Sequence, residues 1–327
     1  MKAMSKRERL EATIAGQPVD RLAVALWRHW PVDDQTAISL ARATLDLQST
    51  FDFDFVKVSP SSNNCVADWG VQSRWVGNEE GTREWLGQAI SSPEDWPTLR
   101  VLDPYQGMMG EMLHALELVG SGLEAGTPFI HTIFDPLTQA TFLAGNRLLA
   151  DLRQHPQELK AGLEAITEST VRFIEAARAT GLSGIFLALQ YATYDLLNEA
   201  EYQEFGMPYD RRILEATHGM WLNLLHLHGN NIMFDLAATL PVQAINWHDR
   251  ETPPTLHEAQ SRFPRAVVGG LHRIETMLRG TPERIDAEVA DAVEQTGGKR
   301  LIIGTGCVTF TNSPWGNWLA ARAAVNR

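Results

Sequence analysis

Short apolar runs alternate with longer stretches of helical periodicity along most of the chain. Eight of these runs have the length and the flanking turn residues of buried strands. They cover residues 22–27, 53–58, 128–134, 184–190, 221–229, 244–247, 266–271 and 300–304. The helical patterns between them include residues 34–47, 105–118, 140–145, 156–180, 281–296 and 314–325. Buried strands that alternate with helices predict a parallel sheet covered by helices.

Eight strand–helix units in a chain of 327 residues favour a closed α/β barrel, the (β/α)8 or TIM barrel, over an open doubly wound sheet. The first strand is not followed by the Gly-x-Gly-x-x-Gly motif of dinucleotide-binding folds, and the chain has no Walker-type phosphate loop. Two short runs after the second strand, 71–75 and 83–86, predict an inserted β-hairpin. We therefore expect a single barrel domain over residues 1–327, in which Asp103 caps the helix 105–118.

The composition excludes several classes of function. The net charge of -12 argues against a nucleic-acid surface, which needs clustered Lys and Arg. Two cysteines, Cys65 and Cys307, are too few for the disulfide framework of a secreted domain. The charged N-terminal segment lacks the apolar core of a signal peptide, and no stretch approaches the ~20 apolar residues of a membrane span. We expect a cytoplasmic protein that acts on a small-molecule substrate.

In a barrel of this kind, the functional residues lie at the C-terminal ends of the strands. The polar residues at the predicted strand ends therefore predict the site. As catalytic candidates we take Arg28, Asp135, Tyr191 and His248, and as substrate-binding candidates His29, Asn63, Gln190, Asn230 and His272.

Several of these residues have an equally simple structural interpretation. Arg28 either binds a substrate carboxylate or pairs with Asp33 or Asp34. Asp135 precedes a proline and is either an acid or a helix cap. His248 and its neighbour Asp249 form either a catalytic dyad or a hydrogen-bonded loop pair. Lys57 lies within a strand pattern and is expected to form a salt bridge with Asp54 inside the barrel.

Two histidines at the end of the fifth strand predict a metal site. Residues two apart in a strand point to the same side, so His226 and His228 share a face. Cys307 follows the eighth strand, and the fifth and eighth strands face each other across the mouth of a closed barrel. Two imidazoles and one thiolate with an open fourth position are suitable ligands for zinc. The alternative is a hydrogen-bonded pair of core histidines and a buried, inert cysteine.

The chain resembles the uroporphyrinogen decarboxylase superfamily over nearly its whole length. The resemblance rests on the order and spacing of segments 51–60, 68–70, 135–138, 226–230, 267–271 and 304–307, the last leading to 313–314. It implies a (β/α)8 barrel independently of the strand count, and it implies a homodimer because the decarboxylases often pair.

The resemblance to the true decarboxylases is incomplete at the site. Those enzymes place an arginine-rich segment after the first strand, an aspartate after the second, a tyrosine after the third and a histidine near the last. This chain keeps Arg28 but has no acid after the second strand, where residues 59–62 read Ser-Pro-Ser-Ser. Phe142 stands at the place of the tyrosine, and Cys307 lies where the histidine is expected.

The corrinoid-linked methyltransferases of the same superfamily bind zinc through a His-x-Cys pair on the fifth strand and a cysteine after the eighth. His226, His228 and Cys307 match this pattern, with histidine in place of cysteine at position 228. Imidazole also binds zinc, but the site then carries one negative charge fewer. The resemblance to this branch implies zinc as a cofactor and a corrinoid protein or a tetrahydropterin as the methyl partner.

Three functional hypotheses follow from the sequence. The first is a zinc-dependent methyltransferase that acts with a corrinoid protein or a pterin. The second is a uroporphyrinogen decarboxylase of porphyrin biosynthesis, or a relative acting on a similar polycarboxylate. The third is a non-catalytic barrel that binds a small ligand.

Overall fold

The computed structural model describes residues 3–326 and confirms the predicted parallel (β/α)8 barrel. Met1, Lys2 and Arg327 of the expected domain lie outside the described residues. Eight parallel strands curl into one sheet with the order β1-β10-β9-β8-β7-β6-β5-β2. Their bounds are β1 Ala23–Val24, β2 Val56–Val58, β5 Phe129–Phe134, β6 Gly184–Leu189, β7 Leu224–Leu227, β8 Ala244–Trp247, β9 Ala266–Leu271 and β10 Leu301–Thr305.

The predicted hairpin is also present, as the antiparallel pair β3 Ser73–Trp75 and β4 Arg83–Trp85. Helices fill the intervals between the strands. They are α1 Lys6–Ala15, α2 Ala37–Phe51, α3 Gly107–Gly122, α4 Pro136–Ala144, α5 Leu148–Gln154, α6 Pro156–Ala177, α7 Glu199–Phe205, α8 Met207–Ala216, α9 Phe234–Ala237, α10 Leu256–Arg262, α11 Pro282–Thr296 and α12 Trp315–Ala324. Within the described residues, no helix is long and apolar enough to cross a membrane.

The start of α3 differs from the prediction. The helix begins at Gly107, and its first amides are capped from far along the chain rather than by Asp103. Asp68 accepts hydrogen bonds from the backbone amides of Met108 (2.8 Å) and Met109 (3.0 Å). Asp103 instead accepts from the amide of Tyr105 in the preceding turn. A carboxylate at a helix N-terminus also interacts favourably with the helix dipole, whichever part of the chain supplies it.

Two further helices begin at residues other than those predicted. Helix α2 starts after Thr36, whose side chain accepts from the Ser39 amide, and a short 3-10 turn precedes it. Helix α4 starts four residues earlier than expected because Asp135 caps it and Pro136 occupies its first turn. This cap fixes the direction of the chain immediately after β5.

The barrel is closed between β1 and β2 by one aspartate rather than by a strand ladder. The Asp54 amide donates to the carbonyl of Val24 (2.9 Å), and the Asp54 carboxylate accepts from the Val24 amide (2.8 Å). The same carboxylate is paired with Arg9 and Arg21, both at 2.7 Å. This arrangement, which we call the Asp54 seam, holds the two edge strands of the sheet together. The expected salt bridge between Lys57 and Asp54 is therefore wrong.

Candidate metal centre and substrate cavity

The end of β7 places His226 and His228 on the mouth of the barrel. His226 is the third residue of the strand, and the His228 amide continues the ladder by donating to the Leu189 carbonyl of β6 (3.0 Å). Their ring centroids are 5.8 Å apart. Burial lowers the pKa of both imidazoles, for His226 well below its ordinary value. Both rings are therefore neutral near pH 7, which is the form that binds metals.

The tautomer of His226 is set by an amide side chain of β8. The Nδ1 atom of His226 lies 2.7 Å from Oδ1 of Asn246. The Asn246 amide nitrogen donates to the carbonyls of Val268 and Thr305, so its oxygen must face the histidine as an acceptor. His226 therefore carries its proton on Nδ1, and its Nε2 lone pair is available to a ligand.

Cys307 meets the two histidines across the barrel mouth, as the sequence predicts. It follows β10, and its Sγ lies 3.9 Å from Nδ1 of His228. His248, which we expected to be a catalytic residue, joins the same group. One ligand atom from each of His226, His228, His248 and Cys307 lies within 4.8 Å of the other three. The structure therefore brings together four residues that can bind a metal.

Zinc fits this set of ligands by chemistry and by spacing. Imidazole nitrogen and thiolate sulfur are the ligands that zinc prefers. In a tetrahedral zinc site, ligand atoms are roughly 3.3–3.8 Å apart, as follows from bond lengths of about 2.0–2.3 Å. The observed separations, all within 4.8 Å, need to shorten by about 1.5 Å at most. In addition, Nε2 of His248 is buried and has no hydrogen-bond partner among the described residues.

A cavity of about 240 Å³ lies beside the metal-binding residues. His226, His228 and Cys307 form part of its wall. Five aromatic side chains also line it, namely Trp27, Trp85, Phe134, Phe142 and Phe186, together with charged and polar side chains such as Lys57, Glu80 and Arg83. The two candidate substrate-binding residues that line it are His29 and Gln190. The cavity is smaller than the roughly 300–1,000 Å³ typical of drug-sized ligands, so it suits a small substrate.

Lys57 is a cavity residue that the sequence analysis assigned to a salt bridge. Its ammonium group donates to Oγ of Ser59 (2.9 Å) and lies 4.4 Å from the centroid of the Phe186 ring. Among the described residues, no carboxylate lies within salt-bridge distance of it. Burial lowers the pKa of Lys57 from 10.5 to about 7. Lys57 lies two residues before Ser59, so both side chains share one face of the strand. This spacing in the sequence indicates that Lys57 faces the barrel mouth.

The hairpin β3–β4 forms a roof over the cavity. Glu80, in the turn of the hairpin, pairs with Arg273 after β9, and its carbonyl lies 2.9 Å from Nδ1 of His29. Gly81 has φ +79°, and a Cβ there would lie 2.8 Å from Cβ of His29. On the other side, Trp85 stacks on Phe142 with centroids 4.5 Å apart. The hairpin is thus attached to the barrel rim at both of its ends.

His29 consequently has a different environment from a free substrate-binding group. Its Nδ1 is occupied by the Glu80 carbonyl, and burial lowers its pKa to about 4. The preceding residue, Arg28, is not paired with either of the aspartates expected. Its guanidinium stacks on Trp30 at 4.8 Å and its Nε donates to the carbonyl of His29. Both residues hold the rim of the barrel around the hairpin.

Asp135 and Tyr191 lie behind the cavity rather than on its wall. Asp135 is fully buried, and its carboxylate accepts from the Thr138 amide and is hydrogen-bonded to the Thr138 hydroxyl. Burial raises its pKa to about 6. Tyr191 is buried and hydrogen-bonded to Thr141, with its pKa raised by burial. Of the two interpretations of Asp135, the helix cap is the one that the structure contains.

Three further predicted substrate-binding residues lie outside the cavity wall. Asn63 accepts from the Ser61 hydroxyl within its own loop. Asn230 is exposed, and its carbonyl accepts from Thr193. His272 uses Nδ1 to cap a turn, accepting from the amides of residues 274 and 275. These positions follow strands, as predicted, but Asn63 and His272 form hydrogen bonds within their own loops and Asn230 is exposed.

The interpretation of His248 and Asp249 as a dyad is wrong. The Asp249 carboxylate accepts from the Gly270 amide of β9 (2.9 Å), and burial raises its pKa to about 7. The charged neighbour of His248 is Glu251, whose Oε2 lies 3.7 Å from its Nδ1. The two side chains of the pair therefore have separate partners.

Comparison with known proteins identifies the family of the chain. The family model described as Uroporphyrinogen decarboxylase (URO-D) matches residues 29–327. The chain belongs to this family. It is 21% identical over 328 residues to a methylcobamide:CoM methyltransferase of Methanosarcina acetivorans, covering 96% of both chains. It is 25% identical over 224 residues to a uroporphyrinogen decarboxylase of Syntrophotalea carbinolica, covering 65% of this chain and 63% of that one.

A solved structure shares the fold over almost the whole chain. The protein described as a methyltransferase from Methanosarcina mazei has a TM-score of 0.85 at 19% identity, with 99% of this chain and 98% of that chain covered. The chain therefore shares the fold of this methyltransferase. Its relatives in sequence include both methyltransferases and decarboxylases.

Proposed function

We propose that this protein is a zinc-dependent methyltransferase that moves a methyl group between a corrinoid protein, or a tetrahydropterin, and a small acceptor bound in the cavity. The observation that carries the proposal is the cluster of one thiol and three imidazoles beside a small cavity, whose wall includes His226, His228 and Cys307. Its metal ligands would include His226, His228 and Cys307. The relatives named methylcobamide:CoM methyltransferases support the corrinoid partner.

Zinc bound at these residues supplies a Lewis acid that lowers the pKa of a thiol or polarises an acceptor atom. The chain's own residues position the acceptor. The aromatic walls around Trp27 and Phe186 exclude water from the cavity and so strengthen the electrostatic interactions inside it. Gln190 offers an amide to orient the acceptor, and Lys57 offers an ammonium group to any negative charge that the acceptor carries.

The decarboxylase hypothesis has less support from the site. A decarboxylase of this superfamily has to hold the carboxylates of a tetrapyrrole and protonate a pyrrole carbon. The segment after β2 carries Ser59 and Ser62 in place of an acid, and Phe142 lines the cavity at the place of the tyrosine. A cavity of about 240 Å³ is also small for a tetrapyrrole.

The two cysteines make a matched test of the proposal. We expect purified protein to contain about one zinc per chain and to transfer methyl groups from methylcobalamin to one of a panel of small thiols. Cys307→Ala should lose most of the metal and the activity, whereas Cys65→Ala should keep both, because Cys65 lies outside the metal-binding cluster. Full activity in metal-free protein would contradict the proposal. Conversion of uroporphyrinogen to coproporphyrinogen would favour the decarboxylase instead.

A further inference from the structure

His248 lies in the metal-binding cluster although neither the strand pattern nor the family resemblance assigns it there. It directly follows Trp247, the last residue of β8, whereas His226 and His228 lie at the end of β7. The centroid of its ring is 5.1 Å from that of His228 and 5.9 Å from that of His226. Its ring is therefore as close to each of the two histidines as they are to one another.

The two ring nitrogens of His248 have different surroundings. Nδ1 faces the carboxylate of Glu251 at 3.7 Å, which favours the tautomer with the proton on Nδ1. Nε2 is then a lone-pair acceptor, and it is buried with no hydrogen-bond partner among the described residues. His248 is only 5% exposed. A buried polar atom without a partner destabilises the fold, so a ligand that satisfies it is favoured.

The backbone on both sides of the cluster is fitted to this position. The amides of Glu251 and Thr252 donate to the His248 carbonyl at 2.7 and 2.8 Å, which turns the loop tightly around it. Gly306, the neighbour of Cys307, packs directly on His248. A Cβ at position 306 would lie 2.6 Å from Cα of His248 and 2.8 Å from the Trp247 carbonyl oxygen. Only glycine allows the Cys307 segment to approach the histidine this closely.

We propose that His248 is a fourth protein ligand of the metal, giving a site of three imidazoles and one thiolate. The inference rests on the metal site of the proposed function and extends it. Unlike the other three residues, His248 does not line the cavity, so it reaches the metal from behind. A substrate would approach from the cavity side, beside His228 and Cys307, and would bind the metal as a fifth ligand. With a single thiolate, the divalent metal and its ligands keep a net charge of +1, which favours an anionic acceptor over a neutral one.

Zinc X-ray absorption of the wild-type holoprotein tests the ligand count directly. We expect one sulfur in the coordination shell and the outer-shell scattering of three imidazole rings. Two imidazoles with one sulfur would overturn the inference and leave the proposed metal site in place. A protein that takes up no zinc would overturn both.

Cobalt substitution of His248→Gln gives an independent measurement. The visible absorption of Co(II) reports its coordination number, and the charge-transfer band reports the thiolate. We expect His248→Gln to weaken Co(II) binding at least tenfold and to change the visible bands, while the charge-transfer band of Cys307 persists. His272→Ala, a histidine of the same barrel rim that caps a turn, should match the wild type. An unchanged affinity and spectrum in His248→Gln would refute His248 as a ligand.

Discussion

Nδ1 of His226 lies 2.7 Å from Oδ1 of Asn246, and this contact decides which nitrogen of the histidine can bind a metal. Asn246 is fully buried, and its amide nitrogen is fixed by the carbonyls of Val268 and Thr305. The amide therefore cannot turn its nitrogen towards His226 without losing both of these bonds. When one ring nitrogen of a histidine binds a metal and the other donates its proton to such a partner, the ring is held in one orientation.

Asn246→Ala removes the acceptor for the His226 proton. We expect the variant to bind zinc about 10–100-fold more weakly, because the loss of an outer hydrogen bond to a metal-binding histidine has effects of this size. The measurement is a competition titration with a chromophoric chelator. Asn317→Ala is the control, since Asn317 is an equally buried amide that donates to backbone carbonyls next to α12, away from the cluster. Equal affinities in the two variants would refute the role of Asn246.

Gly306→Ala should separate Cys307 from the other metal-binding residues. The added Cβ would meet backbone atoms at 2.6 and 2.8 Å, so the segment must shift. We expect a destabilisation of about 1–3 kcal/mol in urea unfolding and a lower affinity for zinc. Gly316→Ala in α12 is the control, because a Cβ there meets no atom within 4 Å. If Gly306→Ala leaves zinc affinity intact, the close approach is not needed by the site.

His228→Cys replaces an imidazole with a second thiolate at the open side of the cluster. We expect the Co(II) form to show a charge-transfer absorbance about twice that of the wild type, because this band scales with the number of thiolates. The extra negative charge should also slow methyl transfer to an anionic acceptor more than to a neutral one. A charge-transfer band of unchanged intensity would mean that position 228 does not bind the metal.

Lys57→Met should stabilise the metal-free protein, and most strongly below pH 7. Burial lowers the pKa of Lys57 from 10.5 to about 7, so the folded protein releases its proton at a lower pH than the unfolded chain does. The stability of the wild type therefore rises between pH 7 and 10.5 as the penalty for the buried charge disappears. We expect an advantage of roughly 1 kcal/mol or more for Lys57→Met at pH 6.

Urea unfolding at pH 6 and pH 9.5 measures this difference. The advantage of Lys57→Met should shrink between the two values, and Lys299→Met, at an exposed lysine, should show no such trend. If the advantage stays constant across this range, the pKa of Lys57 in the folded protein is not lowered relative to the unfolded chain.

The strands of the barrel could be predicted from the sequence because burial on both faces produces continuous apolar runs. The runs 244–247 and 266–271 coincide with β8 and β9, and the rest differ at their ends. Helix starts were predicted less well wherever the cap is distant. Asp68 lies about 40 residues before α3 in the chain, and local patterns cannot detect such a partner.

The candidate site shows the same limit. His226, His228 and Cys307 were brought together because strand ends share one rim of the barrel. The sequence placed His248 at this rim, but its contact with the metal-binding cluster was not predicted, because it involves the close approach of Gly306 from another loop. Asn63, Asn230 and His272 also follow strands, but Asn63 and His272 form hydrogen bonds within their own loops and Asn230 is exposed. Strand-end position identifies the rim and does not distinguish the residues that face the cavity.

The Asp54 seam has a consequence for the order in which the chain can fold during its synthesis. The strand partner of β1 is β10, and that of β2 is β5, so β1 has no ladder until the last strand leaves the ribosome. Before that point, Asp54 can bond the amide and carbonyl of Val24, with its carboxylate paired to Arg9 and Arg21. An unpaired edge strand is a template for aggregation. All residues of the Asp54 seam lie within the first 54 positions, so this contact of the N-terminal strand can form long before β10 is synthesised.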